Sequence, residues 1–164
     1  MEEHYKSVLP KLFMVAMMVG LMLFFIFYLN QRWERIRDIR RQGDLQSITK
    51  ALEFYNQQYN QYPDNFDDDG EGWDKSNDLE NRSFVEPLIK AGLLTITPFD
   101  PKNDDEYYYR YQKFASGDYG CVRPSAIFQI TQFETNIKNR GRGLCPQFDW
   151  RELTPEGYTW QGIE

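Results

Sequence analysis

The sequence is poor in the residues that build reactive sites. It has one histidine, His4, and two cysteines, Cys121 and Cys145. A serine–histidine triad is excluded, because this histidine precedes the long apolar segment and no serine occupies an elbow motif. The chain also lacks zinc-ligand spacing and a glycine-rich phosphate loop. We therefore expect a protein that is not an enzyme.

Basic residues are in the minority over most of the chain. Residues 51–164 carry eleven lysines and arginines against twenty acidic residues, a net charge of −9. Nucleic acid requires a surface of the opposite sign, so no nucleic-acid partner is expected. Residues 32–50 differ, because six basic residues against three acidic ones give them a net charge of +3.

Charge is absent from one long segment, Leu12–Leu29, which reads LFMVAMMVGLMLFFIFYL. As a helix it would extend about 27 Å, close to the thickness of the hydrocarbon core of a bilayer. We predict a transmembrane helix over residues 12–29, preceded by a short tail over residues 1–11. Tyr28 and Trp33 are suited to the membrane interface. The lipid bilayer is therefore an expected partner.

Two alternatives exist for this apolar segment. A signal peptide has a shorter apolar region, of about 7–15 residues, followed by small residues at a cleavage site. Here the segment is longer and continues into polar residues without such a site. A helix buried in a protein core is the other alternative, and the position of the uncharged run near the N-terminus disfavours it. A retained single-pass anchor is the preferred interpretation.

The helical pattern continues beyond the apolar segment, over residues 30–63. Spacings of three and four place a stripe of apolar and aromatic residues on one helix face. The residues of this helix packing face are Leu45, Ile48, Leu52, Tyr55, Tyr59 and Tyr62. We expect the face to pack on a sheet, although a short coiled-coil seam is the alternative. Pro63 is predicted to end the helix.

Residues 64–164 are predicted to form one α/β globular region. Ser83 and Glu86 have the spacing of a capping box and predict a short helix that ends near Gly92. The aromatic-rich segment 107–114 predicts a strand, and residues 115–118 predict a four-residue hairpin connection to the next one. The predicted fold class is therefore α+β, with a long N-terminal helix on a small antiparallel sheet.

The acidic loop after Pro63 contains a candidate calcium site. Asn65, Asp67 and Asp69 alternate and are followed by Gly70, as in the first half of an EF-hand loop. The position of the bidentate glutamate is occupied by Ser76. A solvated acidic loop is the preferred interpretation, with calcium binding as the alternative.

The cysteines and the arginines predict opposite orientations. Cys121 and Cys145 are suited to a disulfide, which forms in oxidising compartments, whereas two unrelated buried thiols are the alternative. Five arginines between residues 32 and 41 exceed the two lysines before the apolar segment. The positive-inside rule would therefore place the large region in the cytoplasm.

The chain resembles the type IV pilin-like proteins, most closely the major pseudopilin of type II secretion systems. The resemblance covers roughly residues 12–133 and is carried by the apolar helix, the segment LIKAGLL, the PFDP turn before the tyrosine-rich hairpin, and a helix motif. The matching motif residues are Arg41, Asp44, Leu45, Ile48, Ala51, Leu52, Tyr55, Tyr62 and Pro63.

The resemblance implies a membrane-anchored, non-catalytic subunit with its globular region outside the cytoplasm, at the bacterial inner membrane. Its expected partners are other pilin-like subunits or an inner-membrane assembly platform. In some pseudopilins the loop after the Asp-Pro turn binds calcium. The residues to compare with that site are Asp100, Asn103, Asp104 and Asp105.

The chain departs from the family pattern at its N-terminus. There is no Gly-Phe or Gly-Met junction of a cleavable leader and no glutamate within the apolar segment. The first departure predicts an unprocessed N-terminus. Two further hypotheses therefore stand beside a fibre subunit: an anchored extracytoplasmic domain that binds a ligand or partner without forming a fibre, and a cytoplasm-facing adaptor with reduced thiols.

Overall fold

The structure, a computed structural model, describes residues 2–66, 72–78, 84–136 and 139–164. These residues contain two helices, six strands and two 3₁₀ turns, Asp118–Gly120 and Trp150–Leu153. The helices are α1 (Glu2–Tyr59) and α2 (Glu86–Lys90). The strands are β1 (Asp74–Lys75), β2 (Tyr109–Phe114), β3 (Ser125–Ile130), β4 (Leu144–Cys145), β5 (Phe148–Asp149) and β6 (Tyr158–Ile163). Two compact units result, residues 1–36 and residues 37–164.

The first unit is helical throughout its described part and carries the long apolar segment. Every large apolar side chain from Leu12 to Leu29 is at least 37% exposed. By length and composition, α1 is a helix that could cross a membrane, and it is the one such helix in the described chain. Its exposed apolar surface fits contact with lipid, since little of it is covered by protein.

The last part of α1 belongs to the second unit and ends four residues earlier than predicted. Tyr59 is the last helical residue, and Asn60 follows with a positive φ of 57°. The Asn60 N–H donates to the carbonyl of Asn56, which is how an asparagine in left-handed conformation ends a helix. The helix boundary is therefore set by Asn60, not by Pro63.

The main sheet has four antiparallel strands in the order β1-β2-β3-β6. Strand β3 is buried at all six positions, because both faces of the sheet are covered. One face packs against α1, with Ile48 and Leu52 in the same cluster as Tyr109 and Phe128. Strands β4 and β5 form a separate two-stranded sheet. The predicted α+β class, a long N-terminal helix on a small antiparallel sheet, is confirmed.

The predicted four-residue hairpin connection is wrong. Strands β2 and β3 do pair antiparallel, but residues 115–124 connect them through a 3₁₀ turn. The turn forms because Gly117 and Gly120 adopt positive φ values and the Cys121 N–H donates back to the carbonyl of Asp118. The segment 119–122 therefore does not contribute a strand.

Helix α2 begins with Glu86, and Val85 occupies its N-cap position. The predicted cap residue, Ser83, lies outside the described residues. Glu86 pairs with Lys90 one turn later, at 3.0 Å. Gly92 has a φ of 70°, in agreement with the predicted helix end.

Candidate functional site

The predicted packing face of α1 is divided by the structure into a buried and an exposed part. Ile48 and Leu52 are fully buried, Tyr62 is buried, and Leu45 and Tyr55 pack partly buried against the same cluster. Tyr59 is 45% exposed and stacks on Tyr55, outside that cluster. The expectation that Tyr59 packs on the sheet is therefore wrong, because the helix ends at this residue.

A buried ion network centred on Arg41 joins α1 to two loops of the globular region. The Arg41 guanidinium is fully buried and makes a bidentate contact with Asp100, from Nε to Oδ2 at 2.6 Å and from Nη2 to Oδ1 at 2.8 Å. Its Nη1 donates to Asp38 at 2.7 Å and to Glu134 at 2.9 Å. Paired planar contacts of this kind are the strongest that arginine makes with carboxylates.

The carboxylates of the Arg41 network have further donors. Asp38 accepts hydrogen bonds from the backbone N–H groups of Glu134 and Thr135 and from the Thr135 hydroxyl. Glu134 is also held by Arg37 at 2.5 Å and by Lys102 at 3.0 Å. Three basic and three acidic side chains thus share one site, and their formal charges cancel.

The contacts of the network favour the charged forms of Glu134 and Arg41. Burial raises the pKa of Glu134, but the hydrogen bonds from Arg37, Arg41 and Lys102 outweigh it and lower this pKa to about 2. Burial lowers the pKa of Arg41, but its contacts with Asp100, Glu134 and Asp38 outweigh it and raise this pKa. The ionised forms of Glu134 and Arg41 are therefore stabilised by their mutual contacts, which is how a structural ion network holds two segments together.

The oxygens after the Asp-Pro turn, a candidate calcium site by resemblance, are engaged by donors of the protein itself. Both oxygens of Asp100 are occupied by Arg41, so a guanidinium already supplies the positive charge. The Asn103 side-chain oxygen accepts from Ser76, and one oxygen of Asp104 accepts from the N–H groups of Glu106 and Tyr107. These contacts close the loop internally. In this structure the side chains of Asp100, Asn103 and Asp104 therefore accept hydrogen bonds from the protein's own donors.

The other candidate calcium site is only partly described. Asp67 and Asp69 lie outside the described residues. The Asn65 side chain fastens its own loop, since its amide donates to the carbonyl of Gly72 and its oxygen accepts from the Lys113 N–H. In the described part of the chain, no three histidine, cysteine or acidic side chains are grouped to hold a metal ion.

The two cysteines are joined in the structure. Cys121 and Cys145, 24 residues apart, form a disulfide with Cα atoms 5.1 Å apart. It belongs to a second cluster that contains Phe114, Ile127 and Trp150, on the face of the sheet opposite α1. The covalent link therefore fastens the loop before β3 to the segment that precedes β5.

The sequence identified some members of the ion network without their roles. The helix motif includes Arg41 and the Asp-Pro turn includes Asp100, but their contact joins residues 59 apart in the sequence. The i, i+3 spacing of Asp38 and Arg41 was a local signal. Glu134 gave no such signal, because it lies in irregular chain that only the fold brings to α1.

Comparison of the chain with protein-family models, with curated proteins and with solved structures finds no match.

Proposed function

We propose that the chain is a non-catalytic, membrane-anchored, pilin-like subunit or accessory protein of a type IV pilus or type II secretion-like assembly. Its place is the bacterial inner membrane, crossed once, with the globular region outside the cytoplasm. The observation that carries the proposal is α1, a single helix that contains both the apolar segment and the face buried against the sheet.

The Arg41 network supports a role in which α1 mediates assembly while remaining attached to the globular region. It connects the helix to Asp100 and Glu134 through charge-assisted contacts that are closed to solvent. Breaking such a buried network leaves uncompensated charges, so the helix is held firmly to its domain. A subunit that assembles through its helix needs such a connection.

Two exposed apolar residues of α1, which do not pack on the sheet, supply candidate contacts with neighbouring subunits. Ile39 is 66% exposed and Phe54 is 48% exposed. Neither belongs to the cluster that packs on the sheet. Exposed apolar residues of this kind gain most from burial against another protein.

The proposal is tested by shearing cells that produce the full chain and analysing the sheared material. We expect the protein among the sheared filaments, and we expect the Ile39→Asp variant to be depleted there while its disulfide still forms. Ile96→Asp is the matched control, because Ile96 is 75% exposed and lies outside α1. A wild-type protein that stays entirely with the membrane would contradict the fibre role.

The second candidate function is an anchored domain that binds a partner without entering a fibre. It is favoured by one observation, the absence of a glutamate from the apolar segment. The two functions differ in the shearing experiment, since this one predicts a membrane-bound protein that is absent from filaments.

The orientation is tested by the state of the cysteines in the cell. The disulfide between Cys121 and Cys145 fits an oxidising compartment. Cells are quenched in acid and the thiols are alkylated with a mass-adding maleimide before and after reduction. Blocked thiols that become reactive only after reduction support the extracytoplasmic orientation. Freely reactive thiols would support the cytoplasm-facing adaptor.

A further inference from the structure

Strand β6 forms an edge of the main sheet, and its second half has open backbone groups. The backbone N–H and carbonyl of Thr159 point away from β3, since they bond to Arg140 and Arg142. In an antiparallel ladder, outward residues alternate, so Gln161 and Ile163 also present their N–H and C=O groups outward. Within the described chain, no backbone group bonds to these four.

The open edge is bordered by concave and apolar surface. A groove of about 520 Å³ runs beside Trp160 and Gln161, with Glu53 and Arg142 among its other lining residues. At the other end, Val122 is 85% exposed and Ile163 is 57% exposed, and both line a smaller cavity beside the disulfide. An added strand would therefore find side-chain contacts as well as backbone partners.

An exposed arginine lies at each end of this edge, although the domain as a whole is acidic. Arg142 and Arg123 are exposed and have no acidic partner among the described residues. They lie next to the two ends of the open stretch, Arg142 in the groove with Gln161 and Arg123 in the cavity with Ile163. Glu53 also lines the groove of Arg142, whereas no acidic residue of the described chain lines the cavity of Arg123. Because residues 51–164 carry a net charge of −9, two exposed arginines at this edge favour an acidic occupant.

We propose that the outer edge of β6, from Gln161 to Ile163, binds an extended acidic segment of a partner protein by strand addition. The segment pairs with the four open backbone groups, places apolar side chains against Val122 and Ile163, and directs carboxylates to Arg142 and Arg123. Backbone pairing supplies affinity and the flanking side chains supply selectivity. The proposal does not depend on entry into a fibre.

The test uses the full chain in detergent micelles and a peptide of about ten residues in which valine alternates with glutamate. A peptide with lysine in place of glutamate is the matched probe. We expect the acidic peptide to bind at least about tenfold more tightly. We also expect amide hydrogen exchange at Gln161 and Ile163 to slow about tenfold when it binds.

Variants separate backbone pairing from other contacts. Ile163→Pro removes an outward N–H that the β3–β6 ladder does not use, and it should abolish binding, whereas Ile163→Thr keeps the N–H and should retain most of it. Arg142→Glu should reverse the preference between the two peptides.

Three outcomes would overturn the proposal. The first is equal binding of both peptides, and the second is binding without slowed exchange at the two amides. The third is protection of these amides that rises with protein concentration alone, together with a sedimenting dimer. That result would assign the edge to a second copy of the chain.

Discussion

The two faces of the main sheet are covered by different kinds of structure. On one face a regular helix packs, and Ile48 and Leu52 lie against Tyr109 and Phe128 in an apolar cluster. On the other face the covering chain is mostly irregular, and Trp150 lies against Phe114 and Ile127 beside the disulfide. Strand β3 contributes to both clusters, so it is the common support of the domain.

The irregular face also contains buried polar groups within its packed layer. Gln129 is fully buried and its amide donates to the Trp150 carbonyl at 2.7 Å and to the Thr159 hydroxyl at 2.9 Å. Loop chain exposes backbone carbonyls that helices and strands satisfy internally, and a buried side-chain amide can pair with them. The disulfide and these polar contacts hold the irregular layer in place. The helical layer depends instead on apolar packing and on the Arg41 network.

The largest effect is expected from breaking the ion network that anchors the helical face. Arg41→Ala would leave the carboxylates of Asp38, Asp100 and Glu134 buried without their shared cation. The free energy of unfolding should fall by about 3–5 kcal/mol. It is measured by urea denaturation of the full chain in detergent micelles, followed by tryptophan fluorescence.

Arg40→Ala is the matched control for Arg41→Ala. Arg40 is the adjacent arginine, its side chain is 60% exposed, and its contact with Asp44 is 3.8 Å long. This substitution should change the free energy of unfolding by less than about 0.5 kcal/mol. Similar losses for the two variants would show that the network does not anchor the helix.

The apolar contact of the helical face should give the next largest effect. Leu52 is fully buried between α1 and the sheet, so Leu52→Ala would lose burial and leave a cavity. We expect a loss of about 2–5 kcal/mol in the same denaturation experiment. Leu153→Ala is the control, because Leu153 is 45% exposed. If Leu52→Ala were as stable as this control, packing of Leu52 between α1 and the sheet would not stabilise the fold.

The irregular face is tested by removing its cross-link. The double substitution of Cys121 and Cys145 by alanine opens a link across 24 residues. Loop-closure entropy predicts a loss of about 3 kcal/mol. The near-ultraviolet circular dichroism of Trp150 should weaken in this variant, whereas amide protection of the β2–β3 ladder should persist. If amide protection of the β2–β3 ladder fell as well, the disulfide would stabilise both layers and not the irregular one alone.

The difference between the faces also explains which parts of the fold could be predicted. The stripe from Leu45 to Tyr55 has helical period, so the sequence alone indicates that it is buried. Trp150 and Gln129 lie in contacts that join chain segments far apart in sequence, and no local period marks them. The cysteines were the one signal of that second layer.

The ion network is also difficult to predict, because its members lie far apart in the sequence. Arg41 and Asp100 belong to separate sequence motifs, and only the fold brings them together in a buried network. The sequence leaves the role of Asp100 open for that reason, since acidic residues in a turn are equally suited to a metal ion and to an arginine. Only the position of Arg41 separates the two.

The ion network should also make stability depend on pH. The pKa of Glu134 falls from its ordinary value of 4.5 to about 2 on folding, so its contribution is complete above 4.5 and is lost as the pH falls toward 2. Glu134→Gln should lower the free energy of unfolding by about 2–3 kcal/mol at neutral pH. The difference from wild type should shrink across that acidic range.

Glu152→Gln is the charge-matched control for Glu134→Gln. Glu152 is exposed and lies on the opposite face, in the 3₁₀ turn that follows β5. Denaturation curves at several acidic pH values should be nearly those of the wild type. A difference between Glu134→Gln and wild type that is constant with pH would show that ionisation of Glu134 contributes nothing.

The smallest effect is expected where the helical face ends. Tyr59 is 45% exposed and contacts only Tyr55 among the described aromatic rings, so Tyr59→Ser should cost less than about 1 kcal/mol. Tyr62, three residues later, is 4% exposed and meets Trp160 edge to face, and its replacement by serine should cost several-fold more. The two variants are compared in the same denaturation experiment. Since both residues belong to one sequence stripe, a large cost at Tyr59 would mean that helical period, and not the helix end at Asn60, decides which residues support the sheet.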